Sequence, residues 1–87
     1  MKWNPDDLAD LLKEAVVLHE ALLANNFEEA RYRARLIITL SAIYGMTAVH
    51  QAANQLVDEL GGSGSVPAST YVDAAERLSR VLDATLE

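Results

Sequence analysis

Two histidines are the side chains of this 87-residue chain that are best suited to proton transfer or nucleophilic chemistry. An imidazole changes its charge near neutral pH, so it serves as a general base, a phosphoryl acceptor or a ligand contact. His50 flanks an apolar helical seam, and Asn54 follows one turn later on the same stripe. We therefore take His50 as the candidate catalytic residue. The alternative is a boundary histidine with a single hydrogen bond, which is the commoner role of such residues.

Metal and cofactor sites are not indicated by the sequence. His19 lies at the margin of the first apolar stripe, and only Leu22 and Leu23 follow it at the three- and four-residue spacing of helical metal ligands. His50 has no histidine or carboxylate at that spacing. The chain contains no cysteine, so disulfides and thiolate ligands are excluded. We expect no metal and no cofactor, and we interpret His19 as structural.

Apolar residues recur every three or four positions in four segments, which predicts four helices. The stripes predicted to face the core are Leu8, Leu11, Leu12, Ala15, Leu18 and Leu22; Ala30, Ala34, Ile37, Ser41 and Tyr44; Val49, Ala52, Ala53, Leu56 and Leu60; and Val72, Ala75, Leu78, Leu82 and Leu86. The first segment follows Asn4 and Pro5, which suit the N-cap and the first helical position. The second follows Asn26, and Gly45 separates it from the third as a tight antiparallel pair. The predicted helices cover about residues 5–24, 27–44, 46–60 and 68–86.

The short connections between these segments favour antiparallel neighbours. We predict an all-α fold, an antiparallel up-down-up-down four-helix bundle that forms a single domain over residues 1–87. One connection contains the run Gly61–Ser65, which we interpret as a flexible surface loop without a packing role. The same Gly-Ser composition is typical of engineered linkers.

The second half of the second helix is apolar on nearly every side. The residues that produce this surplus are Leu36, Ile38, Leu40 and Ile43. Because monomers rarely expose a large contiguous apolar patch, the surplus implies either deep burial within the fold or a protein partner or homodimer that covers the apolar face of this helix. A small-molecule pocket among small residues such as Ala42 is the alternative.

The charge balance disfavours one class of partner. Thirteen acidic and seven basic residues give a net charge of −6, which repels nucleic-acid phosphates. No stretch approaches the roughly 20 apolar residues that cross a bilayer, and the first residues lack the apolar core of a signal peptide. We expect a cytoplasmic protein that binds neither nucleic acid nor membrane.

The second helix also carries the only basic cluster, Arg31, Arg33 and Arg35. Arg31 and Arg35 share a helix face at four-residue spacing. The cluster is either a docking patch for an acidic partner or a solvated face paired with Glu28 and Glu29 one turn before. We favour the solvated face, because exposed ion pairs of this kind are common and weak.

The segment from Ala21 to Val57 resembles the histidine-phosphotransfer domain, a four-helix module that relays phosphoryl groups between receiver domains in bacterial two-component signalling. That family carries Ala-His-x-Leu-Lys-Gly-Ser on a helix, then a glycine ten residues after the histidine. The positions of this chain that fall on the family's spacing are Ala34, Ile37, Gly45, Val49, Ala53 and Leu56. The resemblance covers less than half of the chain, and the matching positions are mainly packing positions.

The residues that carry the family's chemistry are replaced. Arg35 stands at the phosphoryl-accepting histidine, Ile38 at the lysine that neutralises the phosphoryl oxygens, and Thr39 at the glycine that leaves room for the partner. A guanidinium stays protonated and offers no nucleophilic lone pair. The resemblance therefore implies a module that has lost its relay function, or a scaffold from which that function was removed.

The leading prediction is a non-catalytic protein-interaction module that binds a partner or itself through its second and third helices. Its candidate binding residues are Arg35, Ile38, Thr39, Ala42 and Asn54. The alternative is an engineered bundle with a pocket near His50 that binds a small molecule or catalyses a proton transfer. Catalysis is the less favoured of the two, because the family's acceptor histidine is replaced.

Overall fold

The computed structural model describes residues 3–86, which form four helices in chain order. Their bounds are α1 (Pro5–Leu23), α2 (Phe27–Tyr44), α3 (Thr47–Leu60) and α4 (Tyr71–Leu86). The described residues contain no strand, so the predicted all-α class is confirmed. No helix within residues 3–86 combines the length and the apolar content that a membrane span requires.

Side-chain caps set the starts of the first two helices. Asn4 Oδ1 accepts a hydrogen bond from the Asp6 amide at 2.8 Å, and Asn26 Oδ1 accepts one from the Glu29 amide at 3.3 Å. Gly45 ends α2 in the left-handed conformation, with φ of 71°. This is the backbone region that glycine occupies without strain, so the chain turns sharply there and α3 packs back on α2.

The last helix begins three residues later than the sequence predicts. The Ala68 amide donates to the carbonyl of Glu59 at 2.8 Å, which attaches the preceding segment to the end of α3. The Tyr71 amide then donates to the Ala68 carbonyl at 3.0 Å in a turn. Residues 68–70 are therefore used to dock the connection, and helical hydrogen bonding starts only after them.

The helices are antiparallel neighbours in chain order. Side-chain contacts cross each junction: Arg33 to Glu14 between α1 and α2, His50 to Ile38 and Arg31 to Leu60 between α2 and α3, and Arg77 to Gln55 between α3 and α4. Close packing joins α1 to α2, α2 to α3, and α3 to α4, whereas α1 and α4 are not a closely packed pair. The bundle is 38 Å long with a radius of gyration of 12.1 Å, close to the ~12 Å expected for one domain of this length.

One hydrophobic core runs through the four helices. The inward seams predicted for the two middle helices are confirmed at Ala30, Ala34, Ile37, Ser41, Val49, Ala52, Ala53, Leu56 and Leu60. The outer helices depart from the prediction at two positions. Leu12 is 39% exposed and Val72 is 47% exposed, although both belong to predicted apolar stripes. Both departures lie where α1 and α4 fail to close on each other.

Candidate functional site

The outward face of α2 carries three of the predicted binding residues, Arg35, Thr39 and Ala42, and all three are exposed. The Thr39 hydroxyl donates to the Arg35 carbonyl at 3.2 Å, so it is held against its own helix. Within residues 3–86 no carboxylate forms an ion pair with the Arg35 guanidinium. The face therefore presents an unpaired cation flanked by short side chains.

The remaining predicted binding residues lie along the junction between α2 and α3. Ile38 is half-buried and packs against the core, and Asn54 is exposed on α3. His50 contacts the Ile38 main chain across this junction, one turn before Asn54. Four of the six predicted site residues, Arg35, Thr39, Ala42 and Asn54, are thus exposed, and His50 and Ile38 meet at the junction between α2 and α3.

His50 bridges the two helices through its ring. Nδ1 lies 3.1 Å from the Ile38 carbonyl oxygen, and a carbonyl only accepts hydrogen bonds. Nδ1 therefore carries the proton in this contact, and the lone pair of that tautomer is on Nε2. His50 lines none of the five surface cavities described in this structure. Its observed role is to link α2 to α3 with one hydrogen bond.

The three arginines of the basic cluster have three different environments. Arg31 is buried, with 2% of its surface exposed, whereas Arg35 one turn later is exposed. Arg33 donates to Glu14 of α1 at 2.9 Å and to Glu29 of its own helix at 2.8 Å. These two carboxylates raise the pKa of Arg33, led by the hydrogen bond to Glu14. The interpretation of the whole cluster as a solvated face is wrong at Arg31, and only Arg35 remains available to a partner.

Arg31 holds the end of α3 and the loop that follows it. Its guanidinium donates to the carbonyl of Leu60 at 2.8 Å, to that of Gly61 at 3.1 Å and to that of Ser65 at 2.6 Å. It also pairs with Glu28 at 2.9 Å. The loop Gly61–Ser65 therefore has a packing role, which corrects the sequence interpretation. The reason is that a buried arginine satisfies main-chain carbonyls that the end of a helix leaves unpaired.

Glu28 holds the other side of the same loop. Its carboxylate accepts hydrogen bonds from the Gly64 amide at 2.7 Å and from the Ser63 hydroxyl at 2.8 Å. The Gly64 hydrogen bond is the main cause of a lowered Glu28 pKa, and the Ser63 hydroxyl and the nearby Arg31 charge lower it further. The sequence signal for this network is the Glu28–Arg31 pair at three-residue spacing, but that spacing does not show that the loop lies beside it.

The apolar surplus of α2 is mostly covered within the chain. Leu36, Ile38 and Leu40 are half-buried, while Ile43 is 70% exposed. The exposed Ile43 lies on the same outward side of α2 as Thr39, one turn away. The predicted apolar face is therefore reduced to one large exposed side chain beside the Arg35 surface.

Most of the large apolar side chains that are exposed within residues 3–86 lie elsewhere, in a groove between α1 and α4. Seven large apolar side chains within residues 3–86 are exposed, and four of them, Leu12, Val16, Leu23 and Val72, line this groove. Its two wide ends are cavities of about 230 and 280 Å³. We call this surface the α1–α4 groove. The groove is not predicted from the sequence, because Val16 and Leu23 lie outside the apolar stripe expected for the first helix.

His19 and Ser79 lie at the middle of the α1–α4 groove, since both line the two wide cavities and the narrow one between them. At one end, Tyr71 packs edge-on against Phe27 of α2, with ring centroids 5.4 Å apart. His19, which the sequence places at the margin of the first apolar stripe, is exposed. Instead it forms part of the groove surface.

No group of three or more histidine, aspartate or glutamate side chains within residues 3–86 is arranged to hold a metal ion. The sequence matches no protein-family model, and comparisons with curated proteins and with solved structures find no similar chain.

Proposed function

We propose that this chain is a non-catalytic protein-interaction module of the histidine-phosphotransfer type, acting in the cytoplasm, which binds a partner through the surface formed by α2 and α3. The observation that carries the proposal is the guanidinium of Arg35, exposed and without an ion pair within residues 3–86, at the position where the family resemblance places the phosphoryl-accepting histidine. A partner that approaches this position meets a fixed positive charge in place of a nucleophile.

The surroundings of Arg35 suit docking. Tyr32 and Ile43 are 53% and 70% exposed and lie on the same outward side of α2 as Arg35. Tyrosine and arginine are enriched among residues that dominate binding energy at protein interfaces. Thr39 and Ala42 between them have short side chains, which lets a partner approach the helix closely. This arrangement supports a small contact surface with a cationic centre and apolar neighbours.

The chemistry of the surface supports binding without phosphoryl transfer. The guanidinium of Arg35 stays protonated at ordinary pH, so it pairs with anions and does not attack a phosphoryl group. The one imidazole on this surface, His50, has its Nδ1 bonded to the Ile38 carbonyl and keeps a lone pair on Nε2, so the labelling experiment below tests its reactivity directly. An acidic phosphorylation pocket such as that of a receiver domain is the complementary partner chemistry, which the family resemblance also implies.

The direct test is an NMR titration of the ¹⁵N-labelled chain with a panel of receiver domains, each in its free form and its beryllofluoride-activated form. We expect shifts at Arg35, Thr39, Ala42 and Asn54, and we expect Arg35→Glu to remove them. Arg80→Glu is the matched control, because Arg80 is exposed on α4 and has no ion pair within residues 3–86.

A parallel incubation with ³²P-phosphorylated receiver domains tests the non-catalytic part. Stable label on His50 or His19 would show a relay activity and would overturn that part of the proposal. Shifts confined to other helices, or no receiver binding at all, would overturn the assignment of the surface. If the solution mass doubles as the protein concentration rises, and stays that of a monomer in Ile43→Ser, the α2 face would instead be a homodimer contact.

A further inference from the structure

The groove between α1 and α4 is a second surface, independent of the Arg35 face. We propose that the α1–α4 groove binds an amphipathic helix whose apolar face is flanked by lysine or arginine. The groove exists because α1 and α4 are not closely packed against each other, so the side chains that would meet between them remain open to solvent.

The apolar part of the groove has the form that a helix requires. Leu12, Val16 and Leu23 recur along α1 at the four- and seven-residue spacing of one helix face. From Leu12 to Leu23 the face extends by ~16 Å at the rise of an α-helix. An occupant of about three turns, with apolar residues on one side, matches this length.

The charged groups along the groove are of one sign. The carboxylates that line its cavities are Glu20 on α1 and Glu76 and Asp83 on α4. No lysine or arginine within residues 3–86 lines these cavities, and the exposed Arg80 of α4 is not among their lining residues. A helix with basic residues beside its apolar stripe therefore has complementary charge on both rims.

The same carboxylates disfavour a second copy of this chain as the occupant. In a two-fold dimer through this surface, each acidic rim would face an identical acidic rim, and each chain carries a net charge of −6. Like charges placed opposite each other at an interface oppose association. The acidic rims therefore favour a basic helix over a second copy of this chain as the occupant of the groove.

The test uses a fluorescein-labelled 14-residue peptide with leucines at positions i, i+3, i+4, i+7 and lysines beside them, and the full chain as the binder. Fluorescence anisotropy is compared with a peptide that has the same leucines but glutamates for lysines, and with a scrambled basic peptide. We expect only the amphipathic basic peptide to bind, with amide shifts in α1 and α4. The double variant Glu76→Lys and Asp83→Lys should lower the affinity for the basic peptide by about tenfold and raise the affinity for the glutamate peptide.

Further variants show whether a loss of peptide binding comes from the α1–α4 groove itself, from unfolding or from the Arg35 face. Val16→Ser with Val72→Ser should abolish peptide binding, because it removes exposed apolar groups that the folded core does not need. Asp58→Lys, an exposed charge reversal on α3, should leave the affinity unchanged. Equal binding of the basic and acidic peptides, shifts confined to α2 and α3, or a concentration-dependent dimer abolished by the Val16 and Val72 changes would each overturn the proposal.

Discussion

The guanidinium of Arg31, in the first half of α2, donates a 2.8 Å hydrogen bond to the carbonyl of Leu60, the last residue of α3. Leu60 is itself completely buried, so this carbonyl has little access to water. Arg31 reaches it from the neighbouring helix and continues to the carbonyls of Gly61 and Ser65. One side chain therefore donates hydrogen bonds to the carbonyls at the end of α3 and holds the loop that follows against α2.

Replacing this side chain should lower stability strongly. Arg31→Met keeps most of the volume but leaves the buried Leu60 carbonyl without its donor, so we expect a loss of about 2–4 kcal/mol in the free energy of unfolding. Urea denaturation followed by circular dichroism measures this loss. Arg35→Met is the control, because it changes an exposed arginine four residues away and should stay within about 0.5 kcal/mol. Similar losses for both variants would contradict the role assigned to Arg31.

The loop contact of Glu28 predicts an acid-sensitive component of stability. The Glu28 pKa is lower in the folded chain, chiefly because of the Gly64 amide. Its contribution is therefore complete above the unfolded value of about 4.3 and is lost as the pH falls through the folded pKa. We expect Glu28→Gln to be less stable than the parent at pH 7 and to approach it at lower pH.

Urea denaturation of both proteins at a series of pH values measures this convergence. Ser63→Ala provides a graded control, because it removes one of the hydrogen bonds to the carboxylate and retains the one from Gly64. It should show a smaller effect in the same pH range. A constant difference between Glu28→Gln and the parent down to pH 2.5 would show that the loop contact does not depend on the charge.

The turn between α2 and α3 predicts a backbone effect at Gly45. A Cβ atom placed there meets nothing within 4 Å, but φ is 71°, so alanine is strained without any clash. Gly45→Ala should cost about 1–2 kcal/mol of unfolding free energy. Gly62→Ala is the matched control, since its φ lies outside the left-handed region and its nearest neighbour is 3.8 Å away. We expect it to be neutral or slightly stabilising, and equal costs at both sites would contradict this assignment.

Two adjacent leucines test whether the α1–α4 groove is open in solution. Leu11 is 1% exposed and Leu12 is 39% exposed. Truncation of a fully buried leucine costs about 2–5 kcal/mol, so Leu11→Ala should be strongly destabilising. Leu12→Ala removes area that is already partly hydrated and should cost less than about 1.5 kcal/mol. Thermal and urea unfolding at low protein concentration compare them, and equal costs would mean that Leu12 is covered in solution.

The helices and their caps were predictable from the sequence because their causes are local. Asn4 and Asn26 accept hydrogen bonds from amides two and three residues away, and Gly45 supplies the backbone conformation at its own position. Most buried residues of the middle helices were also predicted; the exceptions are Tyr44, which is only half-buried, and Arg31, which is buried although a solvated face was expected there. Each has close neighbours on two sides, so its apolar stripe is fully used by the fold.

The remaining features depend on relations between distant segments. Arg31 and Arg35 have the same residue type and lie one turn apart, yet only Arg31 lies beside the loop that follows α3. Leu18 and Leu12 belong to the same predicted stripe, but only Leu18 is buried. Periodicity identifies a face that prefers burial, but it does not show whether another helix lies close enough to cover that face.

The packing order of the bundle has a consequence for its dynamics. Each terminal helix packs closely against one neighbour only, α1 against α2 and α4 against α3. The central pair, α2 and α3, pack against each other and against one terminal helix each. The terminal helices therefore have fewer closely packed neighbours than the central pair, and we expect amide hydrogens to exchange most slowly in α2 and α3. A ligand bound in the α1–α4 groove would contact both terminal helices and hold them together. Its binding would therefore appear first as slower amide hydrogen exchange in α1 and α4.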